Sequence, residues 1–474
     1  AGGTLRKKPF VAGIFGVLTA ALSGLPPFPS FWAKWVLIMA LAATGNYFLT
    51  AVILLGSLIE AWYLFRWFLN YMKAGKDTGD VHDEIIPDDF PIEESEISAA
   101  KAGSGKLVFS SIRSIAAPFI SALLLLAAGI MPALSLLSTK GPAGIDESLL
   151  FLPLAALALF TVLDILRIPM KLQVFIGIAV TAVYGAIIIP DLEGIRMIFS
   201  IIFIAGSAIL MFPLANRTGR HPGLMGMLTA MVLSLGNLLL FKSSLGFFFS
   251  WELMTVTSFF LIARGQKASA ASLRYLLFSL AGAFLICAGL AVGGSPLFAD
   301  IMPGQTGFGI VPTVLLSLGF LIKLGSLGLH IWLPGSYAES DDDLSAFFSS
   351  ILSKAGLYML FITAGLFTVP LFTSGIGAGV FSQTTLASLL GWIGAITAFA
   401  GAFLAIFKED IKYTLAYSSM GQVGYMLLSF ALMSQLGWMN SLYLAATHLF
   451  FKGMLFAAIA GVIYRTKTRM MYQM

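Results

Sequence analysis

Apolar runs of about twenty residues follow one another along this chain, and that length is what a helix needs to cross a bilayer. In hydrocarbon every backbone N–H and C=O must be satisfied within the protein, which leaves helices or a closed barrel. The runs are continuous rather than alternating with period two, which favours helices. At 58% hydrophobic and 11% charged residues, 474 residues carry more apolar surface than a soluble fold hides. The expected fold class is therefore an all-α polytopic membrane protein.

The runs divide into about 14 transmembrane helices: 10–45 (broken at 24–29), 46–70, 115–138, 149–166, 172–190, 194–214, 222–241, 244–263, 272–293, 310–333, 344–369, 385–407, 413–433 and 441–464. The distribution of Lys and Arg tests this partition. Alternate loops carry Arg6, Lys7, Lys8, Lys73, Lys76, Lys101, Lys106, Arg113, Arg167, Lys171, Arg217, Arg220, Arg264, Lys267, Arg274, Lys408, Lys412, Arg465, Lys467 and Arg469. The other side has only Lys140, Lys242 and, at its margin, Arg196. This asymmetry predicts that the basic loops, and both ends of this sequence, face the cytoplasm, with the protein in the cell's inner (cytoplasmic) membrane. One loop on the basic side, Glu339-Ser340-Asp341-Asp342-Asp343, is acidic and has no base of its own.

The longest polar stretch, 71–114, holds nine of the 23 acidic residues and reads as a solvated loop. The single cysteine, Cys287, excludes an intrachain disulfide and a cysteine-ligated cluster. Four histidines without ligand spacing argue against a metal, and no stretch has a nucleotide-binding pattern. No cofactor is expected, and the net charge of +5 reflects topology rather than a nucleic-acid partner.

Lys34, Glu252, Lys323 and Lys354 each stand alone within a span. A charge at that depth costs about 2.5–3.5 kcal/mol on insertion scales, so such residues mark ion or proton paths. Two of these spans carry helix-breaking residues beside the lysine. Pro26, Pro27 and Pro29 precede Lys34, while Gly325 and Gly328 follow Lys323. Broken helices at mid-membrane expose backbone dipoles, and transporters build ion sites from them. A buried Lys–Glu pair with two arrangements is a switch: the closed pair holds a proton and the open pair releases it. His330 lies seven residues after Lys323, on the same face if the helix is regular. It serves either as a relay or as a satisfied structural histidine. His448 and Lys452 are four apart and share a face. They either extend a hydrated route or hydrogen-bond backbone at a helix break.

Several of these stretches resemble one family. His330-Ile331-Trp332-Leu333-Pro334, followed by Ser345-Ala346-Phe347-Phe348-Ser349-Ser350-Ile351-Leu352-Ser353-Lys354-Ala355-Gly356-Leu357-Tyr358, is similar to the signature of the antiporter-like, proton-translocating membrane subunits. That family includes the antiporter-like subunits of respiratory complex I, the large subunits of Mrp-type antiporters and the membrane subunits of energy-converting hydrogenases. Trp251-Glu252-Leu253-Met254 resembles its fifth helix. Glu409-Asp410-Ile411-Lys412-Tyr413-Thr414-Leu415-Ala416-Tyr417-Ser418-Ser419 resembles the entry to its tenth, and His448 to Lys452 its eleventh. Leu22-Ser23-Gly24-Leu25-Pro26-Pro27-Phe28 and Phe31-Trp32-Ala33-Lys34 resemble its broken twelfth helix. In the family, Asp-Ala-His usually follows Trp-Leu-Pro; here it is Gly335-Ser336-Tyr337, without the histidine that would place a relay at 337.

The resemblance implies an antiporter-like fold in two parts. Residues 1–138 match helices twelve to fourteen of one unit, 139–148 form a linker, and 149–474 match helices one to eleven of a second, truncated unit. The expectation is a window on a longer polypeptide with tandem units; a circularly permuted single unit is the other possibility. The resemblance also pairs Glu252 with Lys323, makes Lys354 the central relay, and makes Lys34 the exit residue of the preceding unit. The implied function is proton translocation driven by a redox module on other subunits, of the NADH/quinone oxidoreductase or energy-converting hydrogenase kind. This chain itself would perform no redox chemistry. Its expected partners are other membrane-arm subunits, that peripheral redox module and the lipid bilayer. An Mrp-type Na⁺(K⁺)/H⁺ antiporter subunit is the alternative, and a scaffold with a vestigial ion path stands third.

Overall fold

The computed structural model describes residues 9–72, 147–217, 219, 221–241, 243–293, 310–364 and 386–473. Among these the secondary structure is helical. In chain order the helices are α1 (Pro9–Ser23), α2 (Pro29–Ala43), α3 (Tyr47–Met72), α4 (Leu152–Ile165), α5 (Met170–Ile188), α6 (Ile195–Asn216), α7 (Leu224–Asn237), α8 (Ser244–Ala263), α9 (Ser269–Gly293), α10 (Ile310–Leu324), α11 (Leu333–Glu339), α12 (Asp342–Ile362), α13 (Leu386–Ile406), α14 (Ile411–Ala431) and α15 (Gln435–Thr466). Eight helical stretches among the described residues are long and apolar enough to cross a membrane, and five shorter apolar helices accompany them. The chain is a multi-pass membrane protein. The expected span 115–138, the acidic loop beyond Met72 and linker residues 139–146 lie outside the described residues.

By internal contacts the chain divides into two compact units, Ala1–Lys34 with Tyr63–Thr139 and Trp35–Trp62 with Lys140–Met474. In the first, the proline-rich stretch ends α1 as expected. Gly24 takes φ +79°, a left-handed conformation that a Cβ disfavours. The Leu25 amide then reaches back to the Ala20 carbonyl at 3.1 Å, and Ser23 Oγ donates to the Thr19 carbonyl at 2.8 Å. These bonds satisfy part of the orphaned last turn.

In the second unit α10 stops at Leu324, and Gly325 turns left-handed at φ +81°. The expected span 310–333 is therefore two pieces, α10 and the start of α11. The groups freed by the break are partnered. Trp332 Nε1 donates to the Ile322 carbonyl at 2.8 Å, and the Leu327 amide donates to Thr397 Oγ1 of α13 at 3.0 Å. Trp332 thus closes the break, beyond the packing role its aromatic side chain suggests. The break also cancels the same-face relation between Lys323 and His330, which required a continuous helix.

Helices α13 and α14 approach through glycines. A Cβ on Gly394 would stand 2.6 Å from the Leu428 amide nitrogen, and one on Gly424 would stand 2.6 Å from the Ala398 Cα. Small residues at such crossings let backbones meet without hydrophobic driving force from lipid.

The acidic loop acquires its bases from elsewhere in the chain. Arg217 bonds Asp341 at 2.8 Å and Asp343 at 3.2 Å; Lys412 bonds Asp342 at 2.8 Å; Arg469 bonds Glu339 at 3.2 Å and Asp410 at 2.7 Å. All three bases come from loops that the charge partition put on the acidic loop's side, so the pairing agrees with that partition. Lys412 is the most buried of them, at 2% exposure, and its ammonium also donates to the Ser340 carbonyl at 2.8 Å. Replacing Lys412 with Met strips a buried carbonyl of its donor. The expected cost is about 1–3 kcal/mol, read as a lower thermal transition of the detergent-solubilised protein. Asp342→Asn is expected to cost less, because that side chain is 39% exposed and its charge is screened.

Candidate functional site

The buried charges of the second unit form two clusters. Around Lys323, on the last turn of α10, two helices contribute three hydroxyls. Its Nζ donates to Thr255 Oγ1 of α8 at 3.1 Å, and to Tyr275 Oη and Ser279 Oγ of α9 at 2.8 and 3.4 Å. The ammonium also lies 4.8 Å from the Tyr275 ring centroid and 5.8 Å from that of Trp251, within cation–π range. Tyr275 continues the chain of hydroxyls to Ser258 Oγ at 2.5 Å.

Glu252 is 1% exposed, one helical turn before Thr255 on α8, and neither carboxylate oxygen has a hydrogen-bond partner within the protein. The expected Glu252–Lys323 ion pair is open in this structure: the lysine is held by hydroxyls and the glutamate by none. Burying an unpaired carboxylate is costly. Approach of the Lys323 ammonium, or a proton, relieves that cost, and these are the two states a switch needs.

The second cluster surrounds Lys354, which is fully buried. Within α12 residues Phe348–Leu352 form a π turn, so Lys354 follows a local widening of the helix, a feature frequent at functional sites. Its Nζ donates to the Ser349 carbonyl at 2.9 Å and to Ser353 Oγ at 3.1 Å, and lies 2.8 Å from His448 Nδ1. With Lys354 charged, Nδ1 accepts and the proton of a neutral His448 sits on Nε2, which has no acceptor within the protein. One turn along α15, Lys452 Nζ donates to Ser418 Oγ at 2.9 Å and to the Leu415 carbonyl at 3.2 Å on α14. Ser349 and Ser419 join α12 to α14 at 2.8 Å. Lys452 thus bonds a backbone carbonyl inside continuous α14 rather than at a helix break, while His448 bonds Lys354.

Two residues remain. His330 sits in the turn after Gly328, half-buried, and its Nδ1 makes no hydrogen bond. Lys34, in the first unit, stands on α2 and donates to the Ser23 carbonyl at the end of α1 at 3.1 Å. The lysine therefore caps the break beside which it was singled out.

Sequence reasoning passed over the hydroxyl set, although its spacing is visible. Thr255 follows Glu252 by three, Ser279 follows Tyr275 by four, and Ser353 adjoins Lys354. Such i, i+3 and i, i+4 pairs share a helix face. What linear spacing does not supply is that α8 and α9 both present this face to α10.

Comparison with known proteins identifies the family. The family model described as NADH:quinone oxidoreductase/Mrp antiporter, TM matches residues 1–60 and 242–474. NADH-quinone oxidoreductase subunit N of Desulforudis audaxviator is 32% identical over 228 residues, 46% of this chain and 44% of that protein. Hydrogenase-4 component B of Escherichia coli is 29% identical over 304 residues, 59% of this chain and 43% of that protein. The chain thus spans less than half the length of these curated relatives. Among solved structures, a chain of the membrane-bound sulfane sulfur reductase, an archaeal respiratory membrane complex, aligns with a TM-score of 0.57 and 27% identity over 67% of this chain and 56% of that one. With motifs, helices and family model in agreement, the chain belongs to the transmembrane family of NADH:quinone oxidoreductase and Mrp antiporter subunits.

Proposed function

We propose that this chain translocates protons across the membrane through Glu252, Lys323, Lys354, His448 and Lys452, driven by a redox module on neighbouring subunits. The observation that carries this reading is the bonding of the two lysines. Both are fully buried, and their ammonium groups rest on hydroxyls, a carbonyl and an imidazole rather than on carboxylates. A buried pair kept for structure would be closed, since an uncompensated buried charge is strongly destabilising. Groups that load and unload a proton need neutral partners that tolerate both states.

The reading extends to the rest of the chain. Residues 1–138 belong to the end of one antiporter-like unit, with Lys34 as its exit group, and 149–474 to the first eleven helices of another; the two separate family matches support this division. His330 is a secondary group at the helix break. The partners are other membrane-arm subunits and a peripheral redox module, in the inner membrane with the basic loops cytoplasmic. The named relatives, subunits of a quinone oxidoreductase and a hydrogenase, support a redox drive.

In everted vesicles carrying the complete complex, Lys323→Ala is expected to abolish redox-driven proton uptake while the complex still assembles. Uptake at the wild-type rate would end the reading. Uptake that instead requires added Na⁺ or K⁺ would favour the antiporter alternative.

A further inference from the structure

Lys412 is a buried charge that neither lysine cluster uses. It stands on the first turn of α14. Its Nζ donates to Asp342 Oδ1, on the first turn of α12, at 2.8 Å, and to the Ser340 carbonyl just before that helix at 2.8 Å. The start of α14 is itself held. Asp410 caps it, accepting from the Lys412 amide at 2.9 Å, and Arg469 pairs with Asp410 at 2.7 Å. Lys412 therefore presents its ammonium to α12 from a fixed position.

Seven residues further along both helices comes another bond between them. Ser349 Oγ and Ser419 Oγ are 2.8 Å apart, and the partners at both contacts are 70 residues apart in the chain. The two helices thus run parallel and in register, with about two turns between the contacts. Beyond the π turn Phe348–Leu352 the ring of Phe361 meets that of Phe430, centroids 5.0 Å apart, and the offset is 69. A π turn closes one residue later than an α turn, so α12 takes up one extra residue there and the offset drops by one. Lys354 follows that turn, and its Nζ donates to the Ser349 carbonyl at 2.9 Å. On α14 the neighbour of Ser419, Ser418, accepts from Lys452 at 2.9 Å. The seam that Lys412 begins therefore holds a partner of Lys354 on one helix and a partner of Lys452 on the other.

We infer that Lys412 is a positioning residue for the second cluster. By tying the start of α14 to the start of α12, it sets the register in which Lys354 meets His448 and Lys452 meets Ser418. Its effect on proton uptake rests on the proposed translocating role; its effect on register does not. A slip of one residue along α12 displaces Ser349 by about 1.5 Å along the axis and about 100° around it. That displacement breaks the Ser349–Ser419 bond and carries Lys354 with it. Lys412 acts through the helices, so it need not exchange a proton itself.

The test uses the complete complex in everted vesicles. Cys287→Ala removes the chain's one native thiol, and Ser349→Cys with Ser419→Cys then reports the register by disulfide formation. Ser349→Cys leaves in place the backbone carbonyl that Lys354 uses. The pair is expected to cross-link readily, and several-fold less with Lys412→Met added. Without the cysteine pair, Lys412→Met is expected to lower proton uptake per electron transferred by roughly 100-fold, the loss that misplacing a reacting group by about 1 Å causes. A loss of assembled complex alone leaves that ratio unchanged. Lys412→Arg keeps donors for both bonds and is expected to recover most of the cross-link and the uptake, although guanidinium releases no proton. Lys412→Met that cross-links and pumps as the wild type overturns the inference. Cross-linking lost with uptake unchanged overturns the positioning role. Lys412→Arg that cross-links but does not pump also overturns it, since Lys412 would then be a proton carrier. Should Lys412→Met fail to assemble, Asp342→Ala decides: unchanged cross-linking and uptake overturn the inference. If Lys323→Ala pumps at the wild-type rate, the translocating role falls, and the cross-link still decides the register.

Discussion

Lys354→Met is expected to reduce proton uptake by roughly 10²–10⁴-fold, the range attached to loss of a positioned acid–base group, and to leave assembly intact. Lys354 joins the Ser353 hydroxyl to the imidazole of His448, so in the proposed translocation its Nζ links α12 to α15. Methionine fills similar volume, and replacing a buried charge by a well-packed apolar group is often neutral for stability. Its local cost is the loss of a partner for His448 Nδ1 and for the Ser349 carbonyl. Lys354→Arg separates charge from proton transfer. Guanidinium holds the positive charge permanently and does not release its proton. It is expected to assemble and fail to pump. An arginine variant that pumps at the wild-type rate would mean that Lys354 acts as a fixed charge, and would remove it from the relay. Uptake traces from vesicles matched for complex content provide the measurement.

The second large effect is structural. Gly424→Val is expected to destabilise the membrane domain by about 3 kcal/mol or more, at the upper end of the usual overpacking penalty. A Cβ there would meet the Ala398 amide nitrogen, with the Gly394 carbonyl oxygen at 2.7 Å. These are backbone atoms of α13, so no rotamer change relieves the clash and the two helices must separate. Separation would draw on Thr397, whose hydroxyl receives the Leu327 amide at the break after α10. The consequence should be a lower level of assembled complex and an earlier thermal transition. Gly461→Ala is the control, since nothing lies within 4 Å of a Cβ at that position. Equal loss in both variants would show that the α13–α14 contact is no special constraint.

Much of the fold was legible because hydrocarbon imposes its rules on linear sequence. Run length, prolines before Lys34 and glycines after Lys323 located helices and breaks that the structure contains. The charge partition anticipated which loops share a side, and Arg217, Lys412 and Arg469 meet the acidic loop there. The candidate site was legible as a set of lysines, a glutamate and histidines, not as contacts. Linear order suggested that His330 follows Lys323 along one face, and the break at Leu324 removed that relation. The family resemblance paired Lys323 with Glu252, whereas in the structure the lysine is bound by Thr255, Tyr275 and Ser279.

The amino-acid sequence alone determined that the chain crosses the membrane repeatedly, where its helices break and which side chains within its spans carry ionisable groups. Those properties follow from the cost of placing polar groups in hydrocarbon, which each segment meets by itself. Only the tertiary structure decided which groups touch: that Lys354 meets His448, that Glu252 stands unbonded, and that Lys323 rests on Tyr275. Such contacts depend on the rotation and crossing of helices far apart in the chain, and local periodicity does not encode them.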